Sequence, residues 1–275
     1  MTKEEVIEKI DGFDDRLKSQ KDKILSTLKE CVKIKLLPSK EVDFRVSKVG
    51  GYPYLPVGDE YPIGKNGEPM EFLAQINFAQ MPQLQDYPTA GILEFFIELD
   101  EYGWGLDYDN PLESGVRVIY YEDLTKKPQT SFEALDRIRD EDVSPISKDE
   151  FVMSFEKSFE VASLEDYASY IPLGDDKFEH YLGLDLMVDS DAELIDAYDK
   201  AFKCDGHKVG GYAFFTQQDP RFYENREYSE LLFQLDSDDS ADIMWGDGGI
   251  ANFFIKPEDL KRRDFSKILY NWDCY

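Results

Sequence analysis

Few residues in this chain are placed to do chemistry, and the densest group of metal-type ligands is one acidic loop. It runs Asp236-Ser237-Asp238-Asp239-Ser240-Ala241-Asp242 and ends at Asp247. Asp236, Asp238, Asp242 and Asp247 fall at the first, third, seventh and twelfth positions, the spacing by which a calcium loop offers oxygen ligands to a hard cation. Ala241 stands where the tight turn needs glycine, and Asp247 where a longer bidentate glutamate is usual. Calcium or magnesium is therefore the one metal expectation, set against a solvated acidic loop, and no other cofactor is expected. Cys204 and His207 form the one close thiol–imidazole pair, but only His180 and two distant cysteines remain to complete a triad or a zinc site. G-x-S-x-G, G-x-G-x-x-G and G-x-x-x-x-G-K-[ST] patterns are absent, so no residue is assigned a catalytic role.

A second set of polar residues interrupts apolar runs. Gln75 and Glu94, and later Gln234 and Asn252, stand inside segments that otherwise read as buried strands. A buried amide or carboxylate without a partner costs about 1–3 kcal/mol, so each must be paired or wet. Two readings follow: the amides bond across facing copies of a repeat, or they line a cleft between them. In the cleft reading, Trp245 and Trp272 supply aromatic walls. Asp219-Pro220-Arg221 reads either as a turn whose acid and guanidinium pair across the proline, or as a recognition point.

The elements that must carry these residues repeat. Leu231–Ile255 reads strand, acidic loop, strand, and Phe72–Ile97 is a recognisable copy: Gln75 meets Gln234, Asn77 meets Asp236, and Phe95-Phe96-Ile97 meets Phe253-Phe254-Ile255. Lys48-Val49-Gly50-Gly51-Tyr52 precedes the first copy and Lys208-Val209-Gly210-Gly211-Tyr212 the second, about 160 residues apart. Around the copies, Lys3–Lys35 shows helical spacing with a Thr2/Glu5 capping box. Val42, Phe44 and Val46 alternate as a strand does. Val116–Tyr121, Phe151–Phe159, Tyr212–Thr216 and Phe265–Trp272 also read as strands. Phe132–Arg139, Ser163–Tyr170, a segment from Ser190 or Asp191 to Phe202, and Pro257 onward read as helices. The chain thus divides into an N-terminal helix packed on the core (1–40), a first pseudo-repeat (41–125), a connecting α/β segment (126–205) and a second pseudo-repeat (206–275), all in one compact domain. The fold class expected is α+β, with internally duplicated β-rich units forming a mostly antiparallel sheet core with flanking helices.

Composition limits the partners. The chain has 275 residues, 42% hydrophobic and 14% aromatic, enough for a sizeable core, and a formal net charge of −27. Such acidity disfavours nucleic acid and anionic membranes and favours the approach of a basic protein partner. Three cysteines at unrelated spacings fit a reducing compartment. No apolar run approaches membrane-spanning length and the N-terminus lacks the apolar core of a signal peptide, so a cytoplasmic protein is expected.

Several motifs agree, in order, with one family. They are Gly50-Gly51-Tyr52-Pro53-Tyr54-Leu55-Pro56, Phe72-Leu73-Ala74-Gln75-Ile76-Asn77, Gly91-Ile92-Leu93 with Phe95-Phe96, Gln218-Asp219-Pro220-Arg221, Leu232-Phe233-Gln234-Leu235-Asp236, Trp245-Gly246-Asp247-Gly248-Gly249 and Tyr270-Asn271-Trp272-Asp273-Cys274. From about Phe44 to the C-terminus the chain resembles the YwqG-like family of bacterial proteins, a domain family of unknown function. The resemblance implies an internally duplicated α+β fold in a bacterial, intracellular setting, and no reaction. The functional expectation is a non-enzymatic binding protein whose acidic surface meets a basic partner, an immunity-type protein being one concrete form. The alternative is a small-molecule binder or enzyme using the cleft between the repeats.

Overall fold

In the computed structural model, which describes residues 1–39, 43–100, 103–139, 144–174, 177–185 and 188–275, most strands join one ten-stranded antiparallel sheet. The chain opens with α1 (Lys3–Asp11), α2 (Asp15–Lys18) and α3 (Lys21–Ser26), followed by β1 (Lys29–Pro38). Thr2 and Glu5 form the expected capping box. The helical expectation for Lys29–Lys35 is corrected to a strand: Val32, Ile34 and Leu36 are buried and alternate with lysines, the period of two that a half-covered strand demands. The strand expected at Val42–Val46 is absent where described: Phe44 and Arg45 form a turn, and Val42 lies outside the described residues.

The first half continues as β2 (Lys48–Val49), β3 (Glu71–Asn77), β4 (Ile92–Ile97) and β5 (Val116–Tyr121). Next come α4 (Glu133–Arg139), β6 (Phe151–Glu160), a hairpin of β7 (Tyr170–Gly174) and β8 (Lys177–His180), and α5 (Asp189–Phe202). The second half is β9 (Lys208–Gly210), β10 (Glu230–Asp236), β11 (Ile250–Ile255), α6 (Pro257–Arg262) and β12 (Leu269–Asp273). Ser163–Tyr170 holds only a 3-10 turn, Tyr167–Ser169, because Asp166 caps it through Ala168 N. Tyr212–Thr216 is irregular, since its amides bond side chains instead of a neighbouring strand.

Strand order is β12-β11-β10-β9-β1-β6-β2-β3-β4-β5. The long β1–β6 pair forms the middle, and each member carries the Gly-Gly strand of the distant half: β1 pairs β9, and β6 pairs β2. The two wings match in register. Lys48 faces Gln75 and Gln75 faces Glu94; Lys208 faces Gln234 and Gln234 faces Asn252. Each wing also shifts register at one place, Phe72/Ala74 and Leu231/Phe233. The sheet curls until it nearly closes, and its inner face holds the main core, where Phe95 lies 4.9 Å from Phe233 and 5.0 Å from Phe253 between ring centroids. Helix α4 covers the outside of the first wing, while α1–α3 and α5 pack with residues after β6 in a separate cluster. Coverage on both faces explains why β3, β4 and β11 are buried throughout and carry apolar residues on both faces. No helix among the described residues is long and apolar enough to cross a membrane.

The repeated Lys-Val-Gly-Gly-Tyr has a physical cause. The side chain of Lys208 is buried, with Nζ 3.0 Å from both carboxylate oxygens of Glu160, and Tyr212 N donates to the same carboxylate at 3.1 Å. Gly211 has φ of +75°, and a Cβ there would collide with Glu160 Oε2. In the other wing Lys48 bonds Glu150 at 2.7 Å, and Gly51, at φ of +64°, lies against the Glu150 side chain. The motif is a socket that lets a buried lysine and a carboxylate meet beside bare backbone.

Candidate functional site

The two strand glutamines are fully engaged by their own chain. Gln75 Oε1 accepts from Tyr54 N at 2.9 Å, and its Nε2 donates to Phe44 O and Val46 O. Gln234 repeats the pattern, accepting from Phe214 N at 2.9 Å and donating to Cys204 O and Gly206 O. Each amide ties both flanks of the Gly-Gly strand to the sheet, its oxygen holding the segment after the glycines and its nitrogen the segment before them. Asn252 donates to Phe214 O at 2.9 Å. Glu94, at the matching place in the first wing, is fully buried and neither carboxylate oxygen has a partner. Burial raises its pKa well above the usual carboxylate range, against weaker opposing pulls from Tyr54 N and Lys48.

Trp245 and Trp272 stand together with Trp104, at centroid distances of 4.7–6.2 Å, which gathers all three tryptophans of the chain. Trp272 Nε1 donates to Gly103 O at 2.6 Å, so this cluster ties the loop after β4 to β12. It is packed core on one side of the sheet opening.

The four candidate metal ligands do not converge. Asp236 Oδ2 accepts from Gly206 N, and Asp238 Oδ1 from Ser240 N and Oγ. Asp242 caps the short turn in a left-handed conformation, and Asp247 is exposed. Among the described residues no group of three or more His, Cys, Asp or Glu side chains is arranged to hold a metal ion. His207 accepts Asp236 N at Nδ1, which leaves Nε2 to carry the proton toward Asp238 Oδ2 at 3.3 Å. Burial lowers its pKa, despite the aspartates. Cys204 lies against Val161 O and Phe202 O, and burial pushes its thiol well above the usual range, far from nucleophilic.

Asp219 and Arg221 are buried and paired as the turn reading required. Arg221 Nε and Nη2 contact Asp219 at 2.9 and 2.8 Å, and Nη2 also reaches Asp166 at 2.9 Å. The guanidinium lies 3.8 Å over the Phe254 ring. Asp166 in turn accepts Ala213 N, and Asp219 accepts Tyr167 N at 2.9 Å. Two carboxylates and one arginine thus lock the 163–170 turn to the 213–222 loop.

That lock backs a pocket of about 550 Å³. The 163–170 turn contributes Leu164, Glu165 and Tyr170, α5 contributes Ile195, Asp196 and Asp199, and the loop contributes Asp219 and Phe222. Tyr170 and Phe222 meet at 5.0 Å between centroids, with their rings tilted by 59°. Ile195 and Asp199, and Ala192 and Asp196, are four apart on α5, so one helix face presents both acids beside apolar groups. Glu165 Oε2 is buried without a partner. Burial, and to a lesser extent the nearby Asp199, raises the Glu165 pKa to about 7. At neutral pH Glu165 therefore keeps its proton part of the time. A positive group entering the pocket beside the aromatic rings would take that proton's place. Of the residues singled out by sequence, only Asp219 lines this pocket. Glu165 and Asp199 are 34 positions apart by number, one on a turn and one on a helix, and no spacing signal joins them.

Comparison with known families gives one result: the profile described as Domain of unknown function (DUF1963) matches residues 47–274. No curated protein matches the chain.

Proposed function

The chain belongs to the DUF1963 family, a domain family of unknown function, and from that premise we propose that it is a binding protein that captures a cationic side chain of a basic partner in the Glu165–Asp199 pocket. The observation that carries this reading is the buried, unpartnered Glu165 Oε2 in a pocket that Asp196, Asp199, Tyr170 and Phe222 also line. Aromatic faces and carboxylates together suit a guanidinium or ammonium on an apolar stem. The net charge of −27 supports it by steering basic partners inward. Within the family we place the chain with the YwqG-like proteins, on the motifs quoted above. We also read the matching wings of the sheet as one duplicated unit. The inter-repeat cleft is set aside as a ligand site because Gln75 and Gln234 spend their amide groups on backbone.

Calorimetric titration with an arginine-containing decapeptide tests the proposal in about 0.15 M salt, where surface attraction is screened beyond about 8 Å. Saturable binding should strengthen from pH 6 to pH 8, as Glu165 ionises, and Asp199→Asn should weaken it about tenfold or more. Equal binding by the Asp199→Asn variant, with no pH dependence, would sink the proposal.

A further inference from the structure

The sheet ends without closing. Its outermost strands are β5 and β12, and among the described residues neither pairs with another strand on its outer side. The two ends are nonetheless held close. Trp272 bonds Gly103, Tyr270 Oη donates to Trp104 O at 3.2 Å, Tyr120 meets Phe265 at 5.4 Å between centroids, and Arg263 pairs with Glu122. Between them lies a cleft of about 530 Å³.

Its lining shows what kind of surface it offers. One wall is Val116, Arg117 and Val118; the other is Phe265, Ser266, Lys267 and Ile268. Side chains of an extended chain alternate between faces, so consecutive residues along a wall mean that the wall is the edge of the main chain. Phase agrees for β5. Glu98 N bonds Gly115 O, so Gly115, Arg117 and Ile119 turn their backbone groups toward β4, and Val118 and Tyr120 turn theirs away, into the opening. Unpaired N–H and C=O groups along an edge are a template for another strand.

The charge of the cleft is opposite to that of the molecule. Lys65, Arg117 and Lys267 line it against one carboxylate, Glu113, in a chain of 31 basic and 58 acidic residues. Lys65 pairs with Glu113, whereas Arg117 and Lys267 are exposed on opposite walls and stand in no ion pair among the described residues. Between them the floor is apolar, from Val116, Val118, Phe265 and Ile268.

We propose that this seam is a docking groove for an extended acidic segment of a partner protein, which adds as a strand to the outer edge of β5 between Arg117 and Lys267. Main-chain bonding supplies the affinity, the two cations select acidic residues on one face of the segment, and the apolar floor takes the residues on the other. The site is separate from the Glu165–Asp199 pocket and does not depend on it.

The test uses fluorescence anisotropy with a labelled, end-capped nonapeptide of alternating Val and Glu, and the Val/Lys peptide beside it. Saturable binding of the Val/Glu peptide alone is expected. The Arg117→Glu/Lys267→Glu double variant changes two exposed side chains and should weaken it about tenfold. Hydrogen exchange on the unaltered protein gives a second reading: the amides of Val118 and Tyr120 should slow when the Val/Glu peptide is added. Absence of saturable binding would overturn the proposal, as would equal binding of both peptides, or binding that leaves the Val118 and Tyr120 amides exchanging at their free rates.

Discussion

Replacing Glu94 with glutamine should make the protein more stable, and by an amount that grows with pH. Glu94 is wholly buried, and neither of its oxygens has a hydrogen-bond partner. Burial, the leading cause, raises its pKa well above the ordinary 4.5. The sign follows. A carboxyl whose pKa is higher in the folded state contributes full stability below pH 4.5, and loses it as pH rises toward the folded-state pKa. Over that range the unfolded chain ionises freely and the fold does not, at about 1.4 kcal/mol per pH unit. At pH 6, about 1.5 units above the unfolded-state pKa, the accumulated cost reaches at most about 2 kcal/mol. Glutamine has nearly the same shape and never ionises, and Asn252 shows in the other wing that an amide facing a strand glutamine finds a backbone carbonyl. At about 2–4 °C per kcal/mol for a chain of this size, Glu94→Gln should melt about 4–8 °C higher at pH 6. At pH 4 the two should nearly coincide. Calorimetric melts across pH 4 to 7 check this. Parallel curves, or a variant that melts lower at pH 6 than at pH 4 relative to the parent, would refute the reasoning.

Two further outcomes follow from the other buried charges. Glu160 is held at about 2: burial opposes this, but Lys208 and Lys33 outweigh it. Its contribution, about 3 kcal/mol at ~1.4 kcal/mol per unit, is present above pH 4.5 and lost as pH falls toward 2. Glu160→Gln should therefore flatten the acid limb of the stability curve while lowering stability at pH 7, read by urea unfolding at each pH. Asp166→Ala leaves Arg221 with half its anionic partners in a buried site, and such removals cost about 3–5 kcal/mol. It should also loosen the walls of the Glu165 pocket, so a shift in urea midpoint and in peptide affinity is expected together.

The sequence made the wings of the sheet legible because their strands are covered on both faces, so Phe72–Asn77 and Ile250–Ile255 carry apolar residues on both faces. Thr2 and Glu5 gave the first helix start, since the capping box is a local device. Residues 29–35 were misread because Ile24, Leu28 and Val32 extend a helical period into a stretch where Val32, Ile34 and Leu36 equally satisfy a period of two. Tertiary pairing with β6 and β9 decided between them. What the repeated pentapeptide does was not legible, because its partners Glu150 and Glu160 come from β6 and its approach, outside either copy. The candidate pocket escaped for the same reason: Glu165, Asp199 and Phe222 meet only after three separate segments are placed.

The strand amides carry a general argument about such readings. A polar residue within an apolar strand attracts a functional interpretation because its cost demands a partner. In both wings that partner is the chain's own backbone, three hydrogen bonds per glutamine, spent on loops that have no ladder of their own. Saturated groups of this kind position a fold. Groups left short of partners are different, and here they divide by access. Glu94 is sealed within the sheet and pays in pH-dependent stability, whereas Glu165 lies at the wall of an open pocket beside a second carboxyl. Access to a ligand, added to an unmet bonding capacity, is what separates a binding candidate from a structural expense. By that criterion Glu165, and none of the residues first singled out, is the one to mutate first.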